Sequence, residues 1–165
     1  MSETLAGSGA QAHNGEFVLR VRDRFSGIDR GQWRRLSGAA PGICNTAYNP
    51  FVSHAFLNAL EQSGCATADS GWHAQHLALE NARGDIVAAA PCYLKSHSQG
   101  EYVFDHSWAD AYQRAGGRYY PKLQCSVPFT PVTGPRLLVS SQVNAATARL
   151  ALANGLRALA ERLGV

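Results

Sequence analysis

One hairpin constrains this chain more than any other segment. His76-Leu77-Ala78-Leu79-Glu80 alternates in character, and Asn81-Ala82-Arg83-Gly84-Asp85 has the composition of a turn. Ile86-Val87-Ala88-Ala89-Ala90-Pro91-Cys92-Tyr93-Leu94 then resumes as a mostly apolar strand. Alternation before a turn and an apolar run after it predict a β-hairpin with one face buried. Pro91 has no N–H to give a ladder, so a bulge or an edge is expected late in the second strand.

The segments around the hairpin must cover it. Residues 1–14 are small and polar and read as a disordered tail, leaving 15–165 as one domain. Residues 17–21 read as a strand. Ser26 is the expected N-cap of a short helix carrying Ile28, Trp33 and Leu36. Residues 37–49 read as a loop. A second helix is expected from Pro50 to Gln62, ended by Gly64, with Phe51, Ala55, Phe56, Ala59 and Leu60 as its stripe. Residues 105–115 form a short helix capped by Asp105, with Trp108, Ala111, Tyr112 and Ala115 on one side. Leu123, Cys125, Val127 and Phe129 alternate as a strand. The segment 142–163 is the strongest helix, capped by Ser140 or Ser141, striped by Leu152, Leu156, Leu159 and Leu163, and stopped by Gly164. The expected fold is α/β in the order β-α-α-β-β-β-α, a mixed central sheet flanked by helices. A long helix after a strand normally returns to another strand, so the fold is expected to be incomplete.

Composition excludes more than it assigns. The net charge of +3 does not argue for a DNA partner. Cys44, Cys65, Cys92 and Cys125 form no C-x-x-C pair and no zinc spacing, so they are expected to be reduced and mostly buried, in a cytoplasmic setting. No apolar run approaches the ~20 residues of a membrane span. The thirteen arginines and two lysines make Lys95 and Lys122 conspicuous.

Both lysines fall in residues 93–136, which hold eight of the fifteen aromatic residues. Aromatic walls with polar groups set among them are the material of a binding cleft. Lys95, His97, Glu101 and Asp105 either line a substrate pocket or cap and pair within a structured loop. In the first case Lys95 is a point charge for a carboxylate or phosphate, and His97 or Asp105 is a general base. Tyr102, Trp108, Asp110, Tyr120, Lys122 and Arg136 complete the substrate-binding set. Tyr119, Tyr120 and Lys122 either stack on a base or sugar or shield a core. Arg136 either holds a carboxylate or braces its own turn. His106 has no third ligand at metal spacing, and His73 and His76 read as edge or surface residues.

Four stretches, NPFVSHAFLNALEQSG, APCYLKSHSQGEYVFDHSWADAY, GGRYYPKLQ and VPFTPVTGPRLL, resemble the FemAB-like proteins of the GNAT acyltransferase superfamily, labelled peptidoglycan biosynthesis or recognition. The resemblance runs from Phe17 to Val165. It implies the N-terminal half of a two-part transferase, partnered by a C-terminal GNAT-like half. It also implies a small-molecule or peptide acceptor, with acyl-CoA or aminoacyl-tRNA as donor, so that tRNA enters as a partner. One motif departs from the pattern. Acetyl-CoA enzymes bind pyrophosphate on a Gly-rich turn, whereas residues 130–136 read TPVTGPR. Two prolines remove two donors. No cofactor site is therefore expected in this half. The alternative is a non-catalytic module that recognises a peptide, a cell-wall precursor or a protein partner.

Overall fold

The computed structural model describes residues 3–5, 17–38, 48–101 and 104–165. The strands are β1 (Glu3–Leu5), β2 (Val18–Arg22), β3 (Trp72–Ala74), β4 (His76–Glu80), β5 (Ile86–Ala90), β6 (Tyr93–Lys95), β7 (Lys122–Gln124) and β8 (Leu138–Val139). The helices are α1 (Arg30–Leu36), α2 (His54–Gln62), α3 (His106–Arg114) and α4 (Ala145–Leu163). β1 falls within the stretch expected to be a tail and pairs with β2. The other residues of that stretch lie outside the described ones.

The expected hairpin is present as β4 and β5, but both of its faces are buried. Every residue of both strands is enclosed. Period-two alternation divides them between two layers. Ala78 and Ala89, opposite one another, join Phe25, Trp33, Leu36, Val52 and Leu57 under α1 and α2. Leu77, Leu79, Ala88 and Ala90 face the other way, against Ala148, Leu152 and Leu159 of α4. The small side chains of residues 88–90 let a helix approach from each side. The result is a helix–sheet–helix sandwich.

One mixed sheet was expected. Two sheets are present instead, ordered β1-β2-β4-β5-β8 and β3-β6-β7, and every described pairing is antiparallel. Pro91 explains the division. Without an N–H it cannot continue the ladder, and the chain kinks there. The hairpin then resumes, with Gln75 N–H donating to the Cys92 carbonyl at 2.8 Å and Trp72 opposite Lys95. The strand expected through residue 129 stops at Gln124, and Phe129 adopts φ 62°. Its ring sits over Gly100, where a Cβ would come within 2.6 Å of it.

The helix caps follow side-chain chemistry, with shifts in position. Asp29, not Ser26, caps α1 by accepting from Gln32 N–H at 2.7 Å. Pro50 opens a 3-10 turn, Pro50–Val52, and Ser53 then caps α2. Asn144 caps α4, accepting from Thr147 N–H at 3.0 Å. Ser140 is engaged elsewhere: its N–H donates to the Val87 carbonyl at 2.9 Å. Gly164 ends α4 at φ 69°, as expected.

His76 is fully buried rather than at a surface or edge. Its Nδ1 accepts from Cys92 N–H at 3.2 Å, so Nε2 carries the hydrogen and donates to Glu61 at 2.7 Å. The other oxygen of Glu61 accepts from Phe25 N–H at 2.6 Å. One carboxylate thus ties α2 to the hairpin and to the turn before α1. Burial pulls the imidazole below its ordinary pKa, although Glu61 acts in the opposite sense.

α4 crosses β2 at Gly155, where a Cβ would meet Leu19 Cδ2 at 2.2 Å. Gly155→Val is expected to displace Leu19 and lower stability by about 1–3 kcal/mol. Urea denaturation checks this, and an unchanged midpoint would contradict so close a crossing.

Candidate functional site

The antiparallel register of β6 and β7 sets Lys95 opposite Lys122. Like charges so placed repel, and each lysine has its own set of partners. Lys95 is fully buried. Its ammonium donates to the carbonyls of His97 at 2.7 Å and Gln99 at 2.6 Å, and lies 4.4 Å from the centre of the Trp72 ring. Burial holds its pKa below the ordinary lysine value. Lys95 therefore clamps the loop after β6 from within and has no free face for a substrate.

Lys122 turns to Asp105, with which it makes a short ion pair, and lies 3.5 Å from Glu101. Asp105 also accepts from the Ser98 hydroxyl at 2.5 Å and the Tyr120 phenol at 2.6 Å. Burial alone would raise its pKa. Hydrogen bonds from Lys122, Ser98 and Tyr120 outweigh that and hold the carboxyl well below the usual range. Burial, and then the bond to Asp105, push the Tyr120 phenol up to about 12. Burial works against the Lys122 ammonium, but Asp105 and Glu101 more than compensate and raise its pKa.

Asp105 occupies the cap position of α3, as expected, yet its side chain makes no capping bond. Its carboxylate faces the loop and β7 instead. It thereby fixes the root of a helix none of whose residues is buried. Trp108 is 72% exposed, Phe104 62% and Tyr112 54%. The side of α3 that carries Trp108 and Tyr112 faces solvent. Phe104 stacks on His106 with ring centres 5.4 Å apart. Tyr112, Tyr119 and Tyr120 follow edge to face at 6.0 and 5.0 Å, and the Lys122 ammonium lies 4.8 Å and 5.0 Å from the last two rings. A groove of about 360 Å³ runs beside them, lined by Tyr112, Arg118, Tyr119, Lys122, Leu123 and Ala160 among others. This is an aromatic and cationic surface on a rigid root, suited to holding a partly polar ligand by stacking and charge.

Residues 24–165 match the model of the FemAB-like family, described as peptidoglycan biosynthesis/recognition. The chain belongs to the FemAB-like family. No curated protein and no solved structure matches it. Family membership gives the chain a peptidoglycan-related transferase or recognition role.

Several of the expected site residues gather at one place in this FemAB-like chain. Glu101, Asp105, Tyr120 and Lys122 form one cluster, with Trp108 on the helix that it roots. Asp110 is exposed on that helix. His97 adjoins Ser98 in sequence, and its ring lies against Gly71, where a Cβ would come within 2.4 Å of Nε2. Tyr102 lies outside the described residues. Arg136 does not point at the cluster. It braces its own turn by donating to the carbonyls of Val132 at 2.5 Å and Gly134 at 3.2 Å. Ser98 and Trp72 were missed, because a serine seven residues before an aspartate and a tryptophan in another strand carry no local signal.

The turn at 130–136 has fewer amides to offer an anion than a glycine-rich turn. Pro131 and Pro135 have no N–H, Val132 N–H is taken by Thr130 Oγ1 at 3.3 Å, and the Arg136 guanidinium fills the turn's carbonyl side. Nine residues separate Pro135 from the start of α4. Among the described residues, no three His, Cys, Asp or Glu side chains are grouped to hold a metal. No described helix is long and apolar enough to cross a membrane. Cys92 is buried as expected, Cys125 is partly buried and Cys65 is exposed, while Cys44 lies outside the described residues.

Because the folded pKa of Asp105 is depressed, its carboxylate stabilises the fold above the pKa of a free aspartate. That contribution is lost as pH falls through the folded value. Asp105→Asn is therefore expected to melt below wild type at neutral pH, with the gap narrowing progressively below about pH 4. Melting curves at several pH values check this. A gap independent of pH would mean that the charge on Asp105 contributes nothing.

Proposed function

We propose that this FemAB-like chain supplies the acceptor-binding wall of a peptidoglycan-related acyl- or aminoacyl-transferase. The acceptor is an amine-bearing peptide or cell-wall precursor lying across α3. The observation that supports this most is the exposed rings of Trp108 and Tyr112 on a helix that Asp105 anchors, with exposed Phe104 just before it. In such a transfer a substrate amine attacks an activated ester or thioester. Holding the acceptor in one orientation is what this wall contributes.

Asp105 is a poor base while three donors hold its charge, so its role in this proposal is to position α3. His97 is the remaining candidate for accepting the amine's proton. The donor, acyl-CoA or aminoacyl-tRNA, is assigned to a second GNAT-like half, since the turn at 130–136 lacks the amides to hold it. That same turn favours a second reading, in which the chain recognises the precursor without catalysis. Transfer assays separate the two, because acceptor binding without acylation by either donor class supports recognition alone.

Trp108→Ala is expected to weaken binding of a peptidoglycan stem peptide about tenfold and leave the melting temperature unchanged, because the side chain is mostly solvated. Calorimetric titration, with Ser107→Ala as control, measures this. Equal affinity of Trp108→Ala and wild type would remove α3 from the site.

A further inference from the structure

A second cleft, separate from the α3 surface, lies between α1 and the start of α2. It encloses about 500 Å³ and is lined by Arg30, Arg34, Tyr48, Ser53, His54 and Ala55 among others. That volume is in the range of small-molecule sites and exceeds what a bare inorganic ion requires.

Arg30 and Arg34 are four residues apart on α1 and so lie on one face. Like charges at that spacing repel. No ion pair or hydrogen bond joins either guanidinium to another group among the described residues. The nearest acid in sequence, Asp29, directs its carboxylate to Gln32 N–H. The cleft therefore carries two positive charges and no acid among its described lining residues.

His54 adds a directed group. It is only 9% exposed. Its Nε2 lies 3.1 Å from the Phe25 carbonyl and 3.0 Å from the Ile28 carbonyl. Both are acceptors, so Nε2 carries the hydrogen. Nδ1 has no partner among the described residues, and in the neutral ring it is an acceptor. The half-exposed ring of Tyr48, which also lines the cleft, offers a flat apolar face. Guanidiniums match phosphoryl oxygens in fork geometry, and a ring acceptor matches a hydroxyl.

We propose that this cleft binds a phosphate ester of a hydroxyl-bearing molecule, with Arg30 and Arg34 on the phosphoryl oxygens, a neighbouring hydroxyl donating to His54 Nδ1, and the body of the ligand against Tyr48. The site shares no residue with the α3 surface, so the two assignments stand or fall separately.

The test is calorimetric titration of the full chain with ribose 5-phosphate, inorganic phosphate and ribose at constant ionic strength. Ribose 5-phosphate is expected to bind more tightly than phosphate, and ribose not at all. The double variant Arg30→Gln, Arg34→Gln should weaken binding of both phosphates about tenfold or more. Both arginines are exposed, so its melting temperature should match wild type. The variant with Lys at both positions keeps the charge but loses the fork and should fall between. Absence of phosphate binding at millimolar concentration, wild-type affinity in the double Gln variant, or equal affinity for the two phosphates would each overturn the proposal.

Discussion

The carboxylate of Asp105 is the point on which the candidate site depends. It accepts from Ser98 in the loop after β6, from Tyr120 just before β7 and from Lys122 within β7. These three donors join both ends of a 26-residue excursion between Lys95 and Lys122. α3 is carried on that excursion with no buried residue of its own. Its orientation therefore comes from electrostatics at its root rather than from packing along its length. A helix held in this way can keep an aromatic face exposed, because no core pulls that face inward.

The rest of the molecule supplies the rigidity that such an arrangement needs. The β4–β5 hairpin is covered on one side by α1 and α2 and on the other by α4. Glu61 bonds to His76 and to Phe25 N–H, so the layers are joined by directional bonds as well as by area. Glu80 does the same between strands, accepting from Arg20 at 2.8 Å and Arg22 at 2.6 Å. Lys95 is the counterpart beneath the site. Its buried ammonium holds two loop carbonyls and so fixes the level from which the loop rises toward Asp105.

Legibility differed by element, for physical reasons. The hairpin and the glycine stop at 164 were readable because they depend on neighbours in sequence. The expected caps Ser26 and Ser140 gave way to Asp29 and Asn144, and the Ser140 hydroxyl instead accepts from Gln142 N–H at 3.2 Å. The single mixed sheet was misjudged because the kink at Pro91 acts through missing long-range pairing. The site was half readable. The clustering of charges among aromatics was visible, but the role of each charge was not. Lys95 and Lys122 look alike in sequence, yet one is buried under Trp72 and the other pairs with Asp105 beside open tyrosines.

By itself, the order of residues determined the β4–β5 hairpin, the four helical segments, where α2 and α4 stop, and which family the chain joins. These follow from backbone propensity, local hydrogen bonding and motif. Only the tertiary structure decided which aromatic face stays in water, which lysine is sequestered and that His76 lies in the core. Those outcomes depend on what each side chain meets from distant parts of the chain, and spacing along one strand or helix carries no record of that.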